Sequence, residues 1–488
     1  MIPADKMERM DFFMDLQRKE ATLRKRMQLL YLVAAGIVLF PFVFVDGFFP
    51  GMGYFLAEKY MAIPCLLFFG SALCQPLTAA AKKTILVSCA AVAWFVLAQM
   101  QHHLSGMGTK SFGIFAVVYL LALPFAAVTE DHEKNVGLKW IGGIYMAFSL
   151  VLTAFCGMLL LDAVPSVLDP YVHWEGARAT LFWHPNGGAC ILMLGIGFSL
   201  YFLTQAEKKW AQYLLTVLTG MQFVTICLTN SRTSIFLVCA LVGGTVFFKI
   251  WKGTLKQFLA AAAAAVIVIV ALVVTHSVLY DFHTQAQINK LLKAQAQQTE
   301  QIAETDSVRE TETPADQGGS IQNIQINEQT GEMTLSGSSG TNQGDLGKDL
   351  GSLNGRTSIW KAAITAVRDN PATGKWGTAY VSAEISSRNH FQAVNAHNSW
   401  LETMMQLGMP GLGLALVLTV IAVWNLWILM WRSRESLSRK IVAMMVICIL
   451  CASLLEAYIF VGEMPTSFVN FSFFLCTGYL IQWNSVRT

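Results

Sequence analysis

Residues 257–279 read QFLAAAAAAVIVIVALVVTHSVL, a run without Asp, Glu, Lys or Arg. A helix of about 20 such residues crosses a hydrocarbon core of ~30 Å, and a soluble domain has no place to bury one. Eleven further apolar runs occur, at about 29–47, 60–79, 84–103, 112–129, 139–162, 187–204, 211–229, 234–250, 409–430, 441–460 and 465–483. The whole chain agrees, with 54% hydrophobic against 13% charged residues and a mean hydropathy of +0.49, far from an average soluble domain. The expected fold is an all-α polytopic membrane protein with about twelve transmembrane helices. A large loop separates helices nine and ten.

Sidedness follows from the basic residues of the short connections, because cytoplasmic loops carry the excess of Lys and Arg. One side holds Arg18, Lys19, Arg24, Lys25 and Arg26, then Lys82 and Lys83, Lys134 and Lys139, Lys208 and Lys209, Lys249, Lys252 and Lys256, and Arg432, Arg434, Arg439 and Lys440. The short loops of the other side hold only Lys59, Lys110, Arg178 and Arg232. Both termini are therefore expected in the cytoplasm and the long loop outside it. The net charge of +3 reflects this topology and points to no nucleic-acid partner.

Residues 1–28 form an amphipathic, charged lead without a cleavable signal pattern, and residues 29–280 hold the first nine spans. All ten cysteines lie in or beside apolar runs, where buried thiols are the expectation rather than disulfides or a metal site. The outer loop covers 281–398, and 399–488 supplies an interfacial helix and the last three spans.

That loop has two halves. Residues 284–354 are rich in Gln, Glu, Thr, Ser and Gly and poor in aromatics, a composition that cannot bury enough apolar surface to offset the entropy of ordering. A disordered insert is expected there, with one helix near 286–303. From 355 the pattern changes: GRTSIWKAAITAVRDNPATGKWG has helical spacing at Ile359, Ala363, Ala366 and Val367, then a turn around Pro371, Gly374 and Gly377. This folded, catalytic half ends at HNSWLETMMQLGMPGLG (397–413), which reads as a short interfacial helix, a Gly408–Gly413 break and the start of span ten.

Four outer-side residues stand out: Arg178, Arg232, Arg356 and His397. Guanidinium groups match phosphate oxygens with paired, charge-assisted hydrogen bonds, so three arginines at one interface suit an anionic ligand such as a lipid diphosphate. His397 is the candidate general base, because imidazole titrates nearest to working pH. Each also has a bland reading, since interfacial Arg and His often snorkel or cap helix ends. Asn186 and Asn398 sit beside His184 and His397 at helix starts, where capping is the default. Glu402, one turn beyond His397, reads either as orienting the imidazole or as merely solvated. His173, His276, His283 and His390 read as loop residues, and Glu456 and Glu463 as polar groups in or beside span eleven that need a structural hydrogen bond. No Asp-x-Asp pair and no His/Cys cluster with ligand spacing falls on the outer face, so neither metal nor cofactor is expected.

Four stretches together resemble the O-antigen ligase and polymerase family of bacterial membrane glycosyltransferases. They are Arg178 with HPNGGA (184–189), Asn230–Arg232, GRTSIW (355–360) with DNPATGKWG (369–377), and HNSWLETMMQLGMPGLG. The insert at 284–354 has no counterpart in that pattern. The resemblance implies transfer or polymerisation of a glycan from an undecaprenyl diphosphate carrier onto a glycan, lipid or protein hydroxyl at the outer face of the cytoplasmic membrane, without a metal, in cell-envelope polysaccharide biosynthesis. Under it His397, Arg356 and Arg232 are catalytic. Arg178, Asn186, Asn398, Glu402 and Trp360 bind substrate. A transporter or flippase is the rival reading for so many spans, but no halves related by repeated hydropathy are found.

Overall fold

The computed structural model describes residues 4–48, 52–74, 79–101, 115–129, 134–169, 171–175, 178–181, 185–309, 323–326, 333–336, 356–374, 383–387, 395–432, 435–460 and 467–485. His184, His390, Glu463 and most of the expected insert (310–322, 327–332 and 337–354) lie outside the described residues.

Among the described residues, each of the twelve apolar runs overlaps a helix. In chain order these are α1 (Ala4–Phe48), α2 (Met52–Leu73), α3 (Ala79–Gln101), a π-helical turn (Val117–Ala122) leading into α4 (Leu123–Val128), α5 (Val136–Leu160), α6 (Pro185–Leu203), α7 (Lys209–Thr229), α8 (Arg232–Ile250) and α9 (Leu255–Arg309). After the long loop, in which α10 spans Arg356–Asp369, come α11 (Ser399–Trp431), α12 (Leu437–Ser453) and α13 (Ser467–Ser485). Among the described residues, seven helices are long and apolar enough to cross a membrane, and two shorter apolar stretches occur at Ala62–Leu73 and Val117–Val128. The protein is a mostly helical, polytopic membrane protein.

The helices form an inner group and a lipid-facing group. Nearly all of α6 is buried, as are the inward faces of α12 and the length of α13. By contrast α9 and α11 display Val266, Ile267, Val270, Val420, Trp424 and Trp427 outward, the apolar exterior that lipid requires. Without a hydrophobic drive between helices in lipid, polar contacts help fix their register. Tyr145 of α5 donates to the Phe468 carbonyl at 3.1 Å and accepts from Ser472 at 3.0 Å, both on α13.

Three features differ from expectation. The N-terminal lead is continuous with the first apolar run in one helix of 45 residues rather than a separate element. The connection before α6 is a hairpin, with β1 (Val172–Glu175) antiparallel to β2 (Arg178–Leu181). Lastly, α9 does not stop at the membrane: its 55 residues extend for roughly 80 Å at helical rise. Propagating an existing helix avoids the cost of nucleation, so the Ala-, Gln- and Lys-rich start of the insert continues it. Within the insert, β3 (Asn323–Ile326) pairs antiparallel with β4 (Met333–Ser336).

Candidate active site

The short helix α10 is amphipathic and buries Ile359, Ala362, Ala363, Ala366 and Val367 against Ile385, Ala396 and Met405. This packing sets the first residue of α10, Arg356, beside the start of α11. The turn that follows is locked backbone to backbone. Gly374 and Gly408 both have left-handed φ, +68° and +69°. A Cβ on Gly374 would lie 2.3 Å from the Met405 carbonyl oxygen, and one on Gly408 would lie 2.4 Å from that of Ala372. The Met409 N–H donates to the Pro371 carbonyl at 2.8 Å. The two glycine-bearing stretches DNPATG and LGMPG are thus one contact, and α11 breaks at Gly408 because its backbone must leave the helix to make it.

His397 and its neighbours are held by the N-terminus of α11. The Asn398 side-chain oxygen accepts from the N–H groups of Trp400 and Leu401 at 2.9 and 3.0 Å, capping the helix. Its amide donates to the Leu454 carbonyl at 2.8 Å. Trp360 donates from its indole N–H to the Ala396 carbonyl at 3.1 Å, tying α10 to the residue before His397. Glu402 is not solvated: it is 2% exposed, with one oxygen accepting from the Ala396 N–H at 2.9 Å and the other from Gln406 at 2.7 Å.

The carboxylate that meets the imidazole is Glu456. Reading this residue as part of span eleven is corrected by the structure, where α12 ends at Ser453 and residues 454–460 form an irregular turn. Glu456 Oε2 lies 3.2 Å from His397 Nδ1. Its Oε1 accepts from Arg356 Nη2 at 2.6 Å and from Asn186 Nδ2 at 2.8 Å. Arg356 also donates from Nη1 to the Leu455 carbonyl. Ser399 Oγ donates to the Glu456 carbonyl at 2.9 Å and accepts from the N–H groups of Tyr458 and Ile459 at 2.8 and 3.1 Å, which stitches the turn to α11.

From Asn186 the network continues to the hairpin. Arg178, at the first position of β2, approaches Asn186 Oδ1 at 3.5 Å and donates from Nε to the Thr229 carbonyl at 3.3 Å. The Tyr458 hydroxyl donates to the Asn186 carbonyl at 3.0 Å. Thr229 is the last residue of α7, and the left-handed Asn230 (φ +48°) turns the chain so that α8 starts two residues later at Arg232. Arg232 is exposed at that helix start, where the orphan backbone N–H groups favour an anion.

Asn186, Arg356 and His397 therefore meet on Glu456, Arg178 adjoins Asn186, and Asn398 and Trp360 hold neighbouring backbone, with Arg232 three residues from the Thr229 that anchors Arg178. Glu456 and Tyr458 are the additions. The one sign of Glu456 in the sequence was an acidic residue within an apolar run, where an uncompensated charge is expensive. Among the described residues no group of three or more His, Cys, Asp or Glu is placed to hold a metal ion.

No curated protein matches the chain. The model of the family described as O-Antigen ligase matches residues 214–416, a stretch that runs from within α7 to within α11 and contains Arg232, Arg356 and His397. Over that stretch this integral membrane protein is similar to the O-antigen ligase family.

Proposed function

We propose that the protein is an inner-membrane glycosyltransferase of about twelve spans with both termini in the cytoplasm. It transfers or polymerises a glycan from an undecaprenyl diphosphate carrier onto a hydroxyl at the outer face, without a metal. The observation that carries this reading is the convergence of Asn186, Arg356 and His397, from three separate parts of the chain, on one buried carboxylate, with Arg178 beside Asn186, inside and beside a stretch similar to the O-antigen ligase domain. In this reading His397 removes the proton of the acceptor hydroxyl as the hydroxyl attacks the anomeric carbon. The diphosphate departs against the arginines, whose fixed positive charge offsets the charge growing on it.

The arginines divide by what they touch. Arg232, exposed at the α8 N-terminus, is suited to the first contact with the diphosphate. Arg356 and Arg178 are already hydrogen-bonded to protein groups and would share their remaining donors with phosphate oxygens. Asn186, Asn398, Glu402 and Trp360 shape the substrate site by holding these side chains and the backbone around His397. Incubating the purified protein with an undecaprenyl-diphosphate-linked oligosaccharide and following lipid and glycan by mass spectrometry tests the reading. Release of the lipid diphosphate with lengthening or transfer of the glycan is expected from the wild type and not from His397→Ala. A wild type that binds a panel of lipid-linked glycans and consumes none would instead favour a carrier role.

A further inference from the structure

Glu456 lies outside the matched domain, yet Asn186, Arg356 and His397 all meet on its carboxylate. A carboxylate can only accept, so each group facing it must bring a proton. Asn186 and Arg356 do so on Oε1. On Oε2 the partner is His397 Nδ1 at 3.2 Å. A hydrogen bond there places the imidazole proton on Nδ1 and leaves the lone pair on Nε2.

The surroundings hold that arrangement rigidly. Glu456 is 8% exposed while the imidazole keeps 26% of its surface accessible, so the carboxylate is the buried support and the ring the accessible group. His397 has a left-handed φ of +46°, a conformation that costs a residue with a Cβ about 1–3 kcal/mol and persists only where neighbours impose it. Its backbone N–H is taken by Asn395 Oδ1 at 2.8 Å. Fold stability alone gives little reason for the charged cluster, since a buried ion pair is often no better than apolar residues of the same volume.

We infer that Glu456 is the positioning residue of the transfer reaction: it holds the His397 imidazole protonated at Nδ1, so that Nε2 is the base, and keeps Arg356 beside it. The inference rests on the transferase reading above. In the reaction the acceptor proton passes to Nε2 as the acceptor oxygen bonds the anomeric carbon, and the bond from that carbon to the diphosphate oxygen breaks with its electron pair leaving on the diphosphate. The imidazolium so formed sits against the Glu456 carboxylate, which stabilises its charge until the proton is released to solvent. Glu456 itself touches no substrate, both its oxygens being occupied from within the protein.

The test compares wild type, Glu456→Gln, His397→Ala and the double variant, each as purified full chain with an undecaprenyl-diphosphate-linked oligosaccharide. Glu456→Gln is expected to lower kcat by up to about 10⁴-fold, the loss seen when the carboxylate partner of a catalytic histidine becomes an amide, with KM for the donor changed less than about threefold. Groups that act as a unit are not additive, so the double variant should be no slower than His397→Ala. Losses that multiply, or a Glu456→Gln enzyme with wild-type kcat, would overturn the inference while wild-type turnover leaves the transferase reading standing. A wild type without turnover would instead remove the reading itself. Histidine ¹⁵N NMR gives an answer that does not depend on activity: the resonance pair missing in His397→Ala should be that of an Nδ1-protonated ring in the wild type, and an Nε2-protonated ring there refutes the arrangement.

Discussion

Replacing Arg356 by lysine probes the forked contact on which the site is built. Two different nitrogens of the guanidinium are used, Nη1 on the Leu455 carbonyl and Nη2 on Glu456 at 2.6 Å, and the side chains are only 15% and 8% exposed. A lysine ammonium is a single point at the end of a flexible stem, and it lacks the planar fork that meets both acceptors together. Losing one hydrogen bond to a charged group costs about 1.5–3 kcal/mol. Arg356→Ala goes further and strands the buried Glu456 charge, at about 3–5 kcal/mol. With tenfold in rate for roughly each 1.4 kcal/mol, Arg356→Lys should lower kcat/KM by about 10- to 100-fold and Arg356→Ala by at least about 10²-fold. Part of the cost will be read as lowered Tm. The assay is initial-rate transfer from a lipid-linked oligosaccharide by purified protein, with Tm and monodispersity measured on the same samples. Full activity in the lysine variant would refute the reasoning from the fork, and full activity in the alanine variant would remove Arg356 from the site.

Gly374→Ala should lower Tm and membrane yield by more than a surface substitution, because it adds a strained φ, worth about 1–3 kcal/mol, to a contact 2.3 Å from the Met405 carbonyl oxygen; an unchanged Tm would mean the turn is not locked. Asn398→Ala removes the α11 cap, about 0.5–2 kcal/mol, together with the hydrogen bond to Leu454. Asn398→Asp should recover the Tm but not the rate, and recovery of both would show that only capping matters. Transfer should survive EDTA, and its abolition with restoration by a divalent cation would reverse the metal-independent reading. Excising residues 312–350 should leave kcat within about threefold, since every contact described in the site comes from other parts of the chain; complete loss with normal folding would give the insert a part in the reaction.

The apolar runs were legible because crossing a membrane is a local demand: about 20 apolar residues suffice whatever their neighbours are. Arg356, His397 and Asn398 were legible for the same kind of reason, as polar groups at the start of recognisable helices next to glycine-bearing turns. The hairpin that carries Arg178 was not, because two strands of four residues each leave little periodicity to read. Nor was the length of α9, since a disorder-prone composition says nothing about a helix already nucleated in the membrane.

Glu456 marks the boundary most clearly. In the sequence it is an acidic residue within the apolar run 441–460, and the helix–membrane argument extends the span across it. In the structure α12 ends before it, and its partners are Arg356, 100 residues away, His397, 59 residues away, and Asn186, 270 residues away. Sequence by itself determined that this chain crosses the membrane many times and which polar residues stand at the ends of its helices, because hydropathy and capping act within a few turns of helix. Which of those residues share one carboxylate was decided only by the tertiary structure, because hydrogen bonds and ion pairs depend on separations of about 3 Å that no spacing along the chain encodes.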